Sequence, residues 1–191
     1  RFETIMFGLN CIIPEAADEL LTLTREHDVA FIAMKAMAGG VLDNPAIAFK
    51  YLFQFPDILM LAGVQSVEEI DEIMEVFDGP RPLTEADEAE IQRLRQELGT
   101  RFCRRCEYCQ PCTVEIPISQ VIMFRTALKR LPPARLFSGN RADVMARAAD
   151  CTECGDCEER CPYNLPIREM IKENLALFEE AKRNYQGVGS R

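Results

Sequence analysis

The sequence predicts an α/β fold over residues 1–100, followed by an all-α, cysteine-rich domain over residues 101–191. The first observation behind this division is charge: the 191 residues carry −9 in total, with −12 in the first part and +3 in the second. The second is cysteine, because Cys11 alone of the nine cysteines lies before residue 101. The third is the alternation of strand-like and helix-like apolar patterns, which stops near residue 100.

Three short apolar runs of the first part have the length and continuity of buried strands. We assign these strands to residues 4–7, 29–34 and 58–62. Strands that are apolar throughout and alternate with helices indicate parallel βα units. Three such units are too few for a closed eight-stranded barrel, and no G-x-G-x-x-G or P-loop motif follows any of them.

The helices of the first part are predicted from amphipathic patterns and capping residues. Residues 15–27 and 45–54 follow the first two strands with helical spacing of apolar side chains. Ser66 is the expected N-cap of the next helix. The last helix should begin at Thr84, with Asp87 three residues further on as a capping pair, and end near residue 99.

The eight cysteines of the second part form two runs of four. The first run has the spacing C-x2-C-x2-C-x2-C, and the second has C-x2-C-x2-C-x3-C followed by Pro162. The candidate metal ligands are Cys103, Cys106, Cys109, Cys112, Cys151, Cys154, Cys157 and Cys161. The second spacing is that of bacterial ferredoxins, in which three cysteines hold one 4Fe–4S core and the fourth reaches another. Two runs therefore predict two 4Fe–4S clusters.

Disulfides and zinc are the alternatives to iron and sulfur. A disulfide framework suits small secreted domains, and adjacent C-x2-C steps are too tightly spaced for easy bridging. Zinc sites are typically built from two separated C-x2-C pairs, so a third cysteine in each run is one thiolate too many. Cys11, outside both runs, is expected to be a buried thiol rather than a ligand.

The ferredoxin pattern implies reciprocal ligation. One cluster would take Cys103, Cys106, Cys109 and Cys161; the other would take Cys151, Cys154, Cys157 and Cys112. The first run is one residue shorter than the usual spacing, and Thr113 stands where the proline is expected. Cys112 is therefore the ligand with the weakest support from the pattern.

The rest of the second part is predicted to be helical. The insert 113–150 has helical apolar spacing up to Pro132, a short helix is expected over residues 141–149, and a longer amphipathic helix follows Pro166. Tyr108 and Tyr163 are expected to shield the clusters from water. The arginines beside the cysteines either raise the cluster potentials or are solvated surface residues.

Composition also sets expectations about location and partners. The acidic total argues against nonspecific nucleic-acid binding. No apolar run approaches the roughly 18 residues of a membrane span, and no signal-peptide pattern opens the sequence, so we expect a cytoplasmic protein without membrane contact. Because the chain begins with Arg1 and enters strand-like sequence at once, we expect it to be the C-terminal part of a longer protein.

Several segments together resemble one family. These are IAMKAMAGG, LMLAGVQSVEEIDEI, PLTEADEAEI, FCRRCEYCQPC and CTECGDCEERCPYNLPI. They are similar to the C-terminal portion of aldo/keto reductases that carry a C-terminal 4Fe–4S ferredoxin-type domain. The resemblance implies that the three βα units are the last three of a (β/α)8 barrel. The missing N-terminal half of that barrel would then be a partner of this chain.

The resemblance also implies a site. The family's catalytic Asp, Tyr, Lys and His belong to the missing half, so no catalytic residue is expected here. Residues that would contact NADP(H) are Gly63, Gln65 and Ser66 in the loop after the third strand, Glu72 on the following helix, and Lys35 at the barrel mouth. Gln65 stands where many members place a cation for the 2′-phosphate, and Ile73 where they have asparagine. Lys35 is equally well explained as an ordinary strand-end lysine.

Two functions follow as hypotheses. In the first, the chain is part of an oxidoreductase that acts on a small carbonyl or alcohol substrate, with two clusters carrying electrons to or from the barrel. In the second, it is a non-catalytic electron-transfer module or a domain that the clusters merely hold together. A redox partner protein is expected under the first hypothesis and under the electron-transfer form of the second.

Overall fold

The computed structural model describes residues 2–188. The chain divides into two compact units, Arg1–Gly99 and Thr100–Arg191. The first unit is a small parallel sheet with helices, and the described residues of the second form helices and loops. The boundary lies one residue before the boundary that the sequence predicts.

The sheet of the first unit has three strands. These are β1 (Thr4–Gly8), β2 (Ala30–Met34) and β3 (Ile58–Met60). They pair in the order β1-β2-β3, and both pairs are parallel. The predicted parallel arrangement is therefore confirmed, although β3 is shorter than the apolar run 58–62. Among the described residues, β1 and β3 each have one edge without a neighbouring strand.

The helices of the first unit lie close to the predicted ranges, with one break. They are α1 (Glu15–Asp18), α2 (Leu20–Glu26), α3 (Pro45–Leu52), α4 (Val67–Asp78) and α5 (Glu85–Leu98). The single helix predicted over residues 15–27 is wrong. Glu19, with φ at −109°, separates α1 from α2, because the amphipathic pattern does not register a local departure of the backbone.

The predicted N-caps are confirmed. The Ser66 hydroxyl accepts a hydrogen bond from the N–H of Glu69, 3.3 Å away. Thr84 and Asp87 form the reciprocal capping box at the start of α5. Asp87 also accepts a hydrogen bond from Lys50 Nζ at 3.0 Å, with both side chains only 17% exposed. The same carboxylate therefore caps α5 and ties it to α3.

A buried asparagine joins the carboxyl ends of β1 and β2. The Asn10 side-chain oxygen accepts hydrogen bonds from the N–H groups of Ile12 at 2.9 Å and Ile13 at 3.0 Å. Its amide nitrogen donates to the carbonyl oxygen of Lys35 at 3.0 Å. Asn10 is fully buried, so these bonds satisfy a polar group that would otherwise be costly to bury.

The two faces of the sheet have different environments. Phe31 and Ala33 of β2 point to one face and are buried. On the other face, Met6, Ile32 and Leu59 stand in one row across the three strands. Met6 is 53% exposed and Leu59 is 60% exposed. This unit thus covers Phe31 and Ala33 of the central strand, although Phe7, in register with Ala33, is 50% exposed. On the other face, Met6 and Leu59 are largely uncovered.

Helix α4 also presents an apolar surface to solvent. Ile73 is its buried residue, while Val67, Ile70 and Met74 are exposed. The exposed residues recur at intervals of three and four, which places them along one side of the helix. This stripe and the row on the sheet are larger exposed apolar surfaces than isolated surface residues would give.

The second unit is helical in its described part. Its helices are α6 (Ile118–Ile122), α7 (Phe124–Arg130), α8 (Pro133–Leu136), α9 (Gly139–Ala148), α10 (Asp156–Glu159) and α11 (Ile167–Val188). The insert between the cysteine runs is helical as predicted, with a break at Met123. The short helix expected over residues 141–149 begins two residues earlier, and the long helix after Pro166 is confirmed.

Helix α11 is the centre of the core of the second unit. Its Phe178 packs edge-on against Phe124 of α7, with ring centroids 5.4 Å apart. Its buried Asn174 accepts a hydrogen bond from the N–H of Arg125 at 3.1 Å and donates to the carbonyl of Met170 at 2.8 Å. These contacts fix the insert helices against α11. In the described part of the chain, no helix combines the length and the apolar character that a membrane span requires.

Candidate metal centre

The cysteines of the two runs lie between the helical core and the surface. Cys157 and Cys161 belong to the buried core, and four others pack against it: Cys103, Cys109, Cys112 and Cys151. Cys106 and Cys154, the second cysteine of each run, are exposed. Each run therefore has one thiol that is exposed to solvent, and its other thiols pack against apolar side chains.

Three cysteines of the second run share one cavity with a cysteine of the first. The cavity is lined by Cys151, Cys154, Cys157 and Cys112, together with apolar residues that include Ile116 and Ile171. Cys112 is the fourth cysteine of the first run. The fold thus brings together the four thiols that the ferredoxin pattern assigns to one cluster.

The complementary set is also close in space. Burial raises the pKa of the Cys103 thiol, opposed by a hydrogen bond from the backbone N–H of Arg105, and the neighbouring Cys106 and Cys161 raise it further. Cys161 is the fourth cysteine of the second run in sequence, but it lies near Cys103 of the first run. Burial, with the nearby Glu107 and Cys103, raises the pKa of Cys109 to about 11.

A thiol whose pKa is raised keeps its proton at neutral pH until a metal ion displaces it. Burial likewise raises the pKa of Cys157, with Glu158 adding to the effect. A metal ligand must be a thiolate, so binding of metal releases the proton and the metal supplies the compensating charge. Thiols with raised pKa values are poor nucleophiles when free.

The donor arrangement is wider than a single-ion site. Within residues 2–188, no three His, Cys, Asp or Glu side chains converge closely enough to hold one metal ion. Tetrahedral zinc needs four ligands within about 2.3 Å of one point. A 4Fe–4S core instead takes its four thiolates on separate irons.

The two cysteine runs belong to an internal repeat that their spacing alone does not reveal. The same four-residue pattern begins three residues after the last cysteine of each run: an acidic or amide residue, an apolar residue, proline and isoleucine. It reads E-I-P-I at 115–118 and N-L-P-I at 164–167. Glu115 and Asn164 both have positive φ, at 58° and 50°. Each donates its N–H to the carbonyl of the last cysteine of its run, at 3.0 and 3.1 Å.

The repeat extends through both loops and into the following helices. Arg105 and Glu153 precede the second cysteine of their runs and have positive φ, at 56° and 57°. The isoleucines that end the repeat begin α6 and α11, which pack against each other. The second unit therefore contains two similar segments, each with one cysteine loop followed by one helix, and α7, α8 and α9 lie between them. A search for repeated segments in the sequence would have found this signal.

Comparison with protein families identifies the cysteine-rich segment. Residues 102–166 match the family model of the 4Fe-4S dicluster domain. This segment is a ferredoxin-type iron–sulfur domain. The match includes both cysteine runs and the insert between them, and it does not extend into the first unit. The prediction of 4Fe–4S binding by this domain is confirmed.

Neither the comparison with curated proteins nor the comparison with solved structures gave a match.

The loop predicted to hold the adenosine end of NADP(H) does not fit a phosphate. Glu69 accepts a hydrogen bond from the N–H of Gln65 at 2.8 Å, and the Ser66 hydroxyl is used as the helix cap. The backbone N–H of Glu68, followed by the Ser66 hydroxyl, holds the pKa of the Glu68 carboxyl below its ordinary value. Two carboxylates thus occupy the helix N-terminus, where a 2′-phosphate would be repelled. Gly63 is exposed beside them.

The two other predicted cofactor residues lie elsewhere in the first unit. Glu72 lines a cavity of about 370 Å³ between α3 and α4, together with Asn44, Lys50 and Glu75. That cavity does not include any residue of the loop 63–66. Lys35 follows β2 with φ at 60°, and its carbonyl holds Asn10. The structural role of Lys35 at the end of β2 is therefore supplied by its backbone carbonyl and not by its side chain.

Cys11 is buried, as expected of a thiol outside the clusters. Burial raises its pKa to about 11, against the effect of the nearby Arg95. The carbonyl of Cys11 accepts a hydrogen bond from Arg95 Nε at 2.7 Å, which ties α5 to the loop after β1.

Proposed function

We propose that this chain is the C-terminal part of an iron–sulfur oxidoreductase. Its second unit holds two 4Fe–4S clusters, one on Cys103, Cys106, Cys109 and Cys161, the other on Cys151, Cys154, Cys157 and Cys112. The observation that carries the proposal is the cavity that Cys112 shares with the second run. The proximity of Cys161 to Cys103 supports the reciprocal set. When bound, such clusters accept and donate single electrons.

The residues of this domain would hold and tune the clusters. The helical core excludes water from the thiols that pack against it, and a drier environment changes the potential of a charged centre. The N–H of Arg105 donates toward the Cys103 sulfur, and such hydrogen bonds stabilise electron density on the ligand. The two exposed cysteines mark the edges through which electrons would enter or leave.

For the first unit we propose the last three βα units of an aldo/keto reductase-like barrel. In a closed barrel, one face of each strand points to the interior and the other contacts the surrounding helices. The three-strand parallel order and the largely uncovered Met6 and Leu59 on one face of the sheet support this assignment. The exposed stripe on α4 would then contact a neighbouring element of the missing half.

An electron-transfer module without barrel catalysis is the second candidate. The observation that favours it is the pair of carboxylates, Glu68 and Glu69, at the N-terminus of α4, where the resemblance would place NADP(H). Under both candidates we propose a cytoplasmic protein with a redox partner. A small carbonyl or alcohol substrate belongs only to the first candidate.

A redox titration tests the electron-transfer function. The anaerobically reconstituted chain, reduced stepwise with dithionite and followed by electron paramagnetic resonance, is expected to show two reversible one-electron steps. The fully reduced protein should show magnetic interaction between two clusters in one small domain. Reduction that is irreversible, or that releases iron, would mean that the clusters only hold the domain together. The chain alone should not reduce carbonyls with NADPH, because the resemblance places the acid–base residues upstream.

A further inference from the structure

The internal repeat allows the two cluster loops to be compared residue by residue. Arg105 in the first loop corresponds to Glu153 in the second, and Tyr108 corresponds to Asp156. The exposed cysteines Cys106 and Cys154 lie between these positions. The two loops therefore share a positive φ before the second cysteine and an outward-facing thiol, but carry side chains of opposite charge character beside it.

In the second loop these side chains are bound within the domain. Glu153 accepts a hydrogen bond from Lys172 Nζ at 2.7 Å, and its carbonyl accepts from Arg168 at 3.4 Å. Asp156 lies 3.7 Å from Arg160, whose Nε donates to the Asp156 carbonyl at 3.0 Å. The charges of the second loop are thus neutralised by neighbouring residues, and this loop has little unpaired charge to offer a partner.

In the first loop the corresponding side chains face solvent. Arg105 is exposed and forms an ion pair with no other residue that the structure describes. Tyr108 is 65% exposed, the most exposed large apolar side chain of the second unit within the described residues, and its expected shielding role stays a prediction. Tyr163 is partly buried, and the Arg104 guanidinium lies 4.0 Å above its ring.

The remaining acidic residue of the first loop, Glu107, is also exposed, but its carboxylate is bound by a side chain of α6. The Glu107 carboxylate accepts a hydrogen bond from the hydroxyl of Ser119, a residue that is 6% exposed. Glu107 is therefore turned toward α6 while Arg105 and Tyr108 are not held in this way. Arginine and tyrosine are the side chains that most often dominate protein–protein binding energy.

We propose that the first-loop edge, defined as Arg105, Cys106 and Tyr108, is the docking site for a one-electron carrier protein with an acidic surface. This inference rests on the proposed electron-transfer function. Arg105 supplies the charge that attracts the carrier, and Tyr108 supplies flat apolar contact beside the exposed thiol of Cys106. One electron passes between the two proteins: one is oxidised by one electron, the other is reduced by one, and no proton or bond changes.

The net charge of the whole chain is opposite in sign to the charge of Arg105 at the first-loop edge. With a net charge of −9, the protein repels an acidic carrier at long range. At about 0.15 M salt, charges more than roughly 8 Å apart are largely screened, so the local cations determine where contact is made. Complementary charge of this kind acts mainly on encounter and orientation.

The test uses the reconstituted, oxidised full chain with two oxidised carrier proteins, an acidic flavodoxin and a basic cytochrome c. Binding is measured by calorimetry at about 0.15 M salt, where the net charge of the chain is largely screened, and no electron moves because both proteins are oxidised. Arg105→Gln should raise the Kd for flavodoxin roughly tenfold. The matched control Arg135→Gln removes the same charge from an exposed position on α8 and should leave the Kd unchanged.

A second pair of variants tests the apolar contact. Tyr108→Ser should weaken flavodoxin binding, whereas Tyr185→Ser, at an exposed tyrosine of α11, should not. Iron content and visible spectra of all four variants should equal those of the wild-type protein, which shows that the domain is intact. Equal effects of the two arginine variants, tighter binding of cytochrome c, or no effect of Tyr108→Ser would each overturn the proposal.

Because the Kd is measured without electron flow, the two proposals fail in different ways. Loss of selective binding overturns the docking site and leaves the redox titration unaffected. Selective binding together with an irreversible titration would overturn the electron-transfer function and, with it, the redox role assigned to the edge.

Discussion

Replacing Cys161 by serine is expected to damage the cluster held by the first cysteine run and to leave the cluster of the second run intact. The physical reason is position: Cys161 lies beside Cys103, although it belongs to the second run in sequence. The variant should retain about half of the wild-type iron after anaerobic reconstitution. Electron paramagnetic resonance of the reduced variant should show one cluster without the magnetic interaction expected of two.

Cys112→Ser should have the reciprocal effect. Cys112 lines the cavity with Cys151, Cys154 and Cys157, so its loss should damage the second-run cluster. Cys11→Ser is the matched control, since Cys11 is a buried thiol of the other unit and its replacement should leave the iron content unchanged. If each serine damaged the cluster of its own run, the reciprocal assignment would be wrong.

The second large effect concerns the first unit. Residues 1–100 expressed alone are expected to aggregate or to remain loosely packed, because Met6, Leu59 and the α4 stripe are apolar and exposed. Burial of apolar surface contributes roughly 25 cal/mol per Å², so several hundred Å² left in water forgo on the order of 10 kcal/mol. This is comparable to the whole stability of an ordinary domain, about 5–15 kcal/mol.

The measurement is thermal unfolding with dye binding and light scattering. The fragment should bind a hydrophobic dye and melt without a sharp transition. In the 191-residue chain, whose first unit has the same exposed surfaces, Phe31→Ala should increase dye binding, because Phe31 is buried on the covered face. Leu59→Ala, on the uncovered face, should leave dye binding and the melting profile nearly unchanged.

The opposite results would contradict the partial-barrel assignment. A monodisperse 1–100 fragment that melts cooperatively would be an independent domain. A large loss of stability from Leu59→Ala in this chain would mean that the row across the sheet is already buried.

Features that depend on a few neighbouring residues could be predicted from the sequence. The Ser66 cap and the Thr84–Asp87 capping box depend only on residues three apart, and both are present. The order of strands and helices followed from apolar patterns for the same reason. The 4Fe–4S character of the second unit followed from cysteine spacing, which is set by the size of the cluster and not by the rest of the fold.

Features that depend on residues far apart in the chain could not be predicted from the sequence. The bonds of Asn10 to the end of β2 and of Arg95 to Cys11 join positions 25 and 84 residues apart. The breaks at Glu19 and Met123 interrupt patterns that read as continuous helix, because spacing of apolar residues does not record a single non-helical backbone angle. The carboxylates at the start of α4 were visible in the sequence, but their hydrogen bonds to Gln65 and Ser66 were not.

The loops around the clusters combine both cases. Cysteine spacing predicted which cysteines lie close together. The difference in surface charge between the two loops depends on which charged side chains form ion pairs. Arg105 and Glu153 occupy equivalent positions, and only the structure shows that Lys172 neutralises the second of them.

The most direct test of the central claim is the iron and acid-labile sulfide content of the full chain after anaerobic reconstitution. Two 4Fe–4S clusters require about eight irons and about eight sulfides per chain, with a brown colour and the absorption of 4Fe–4S proteins. A maximum of four irons would mean that one cysteine run holds no cluster. Stoichiometric zinc without sulfide in the natively purified protein would contradict the iron–sulfur assignment itself.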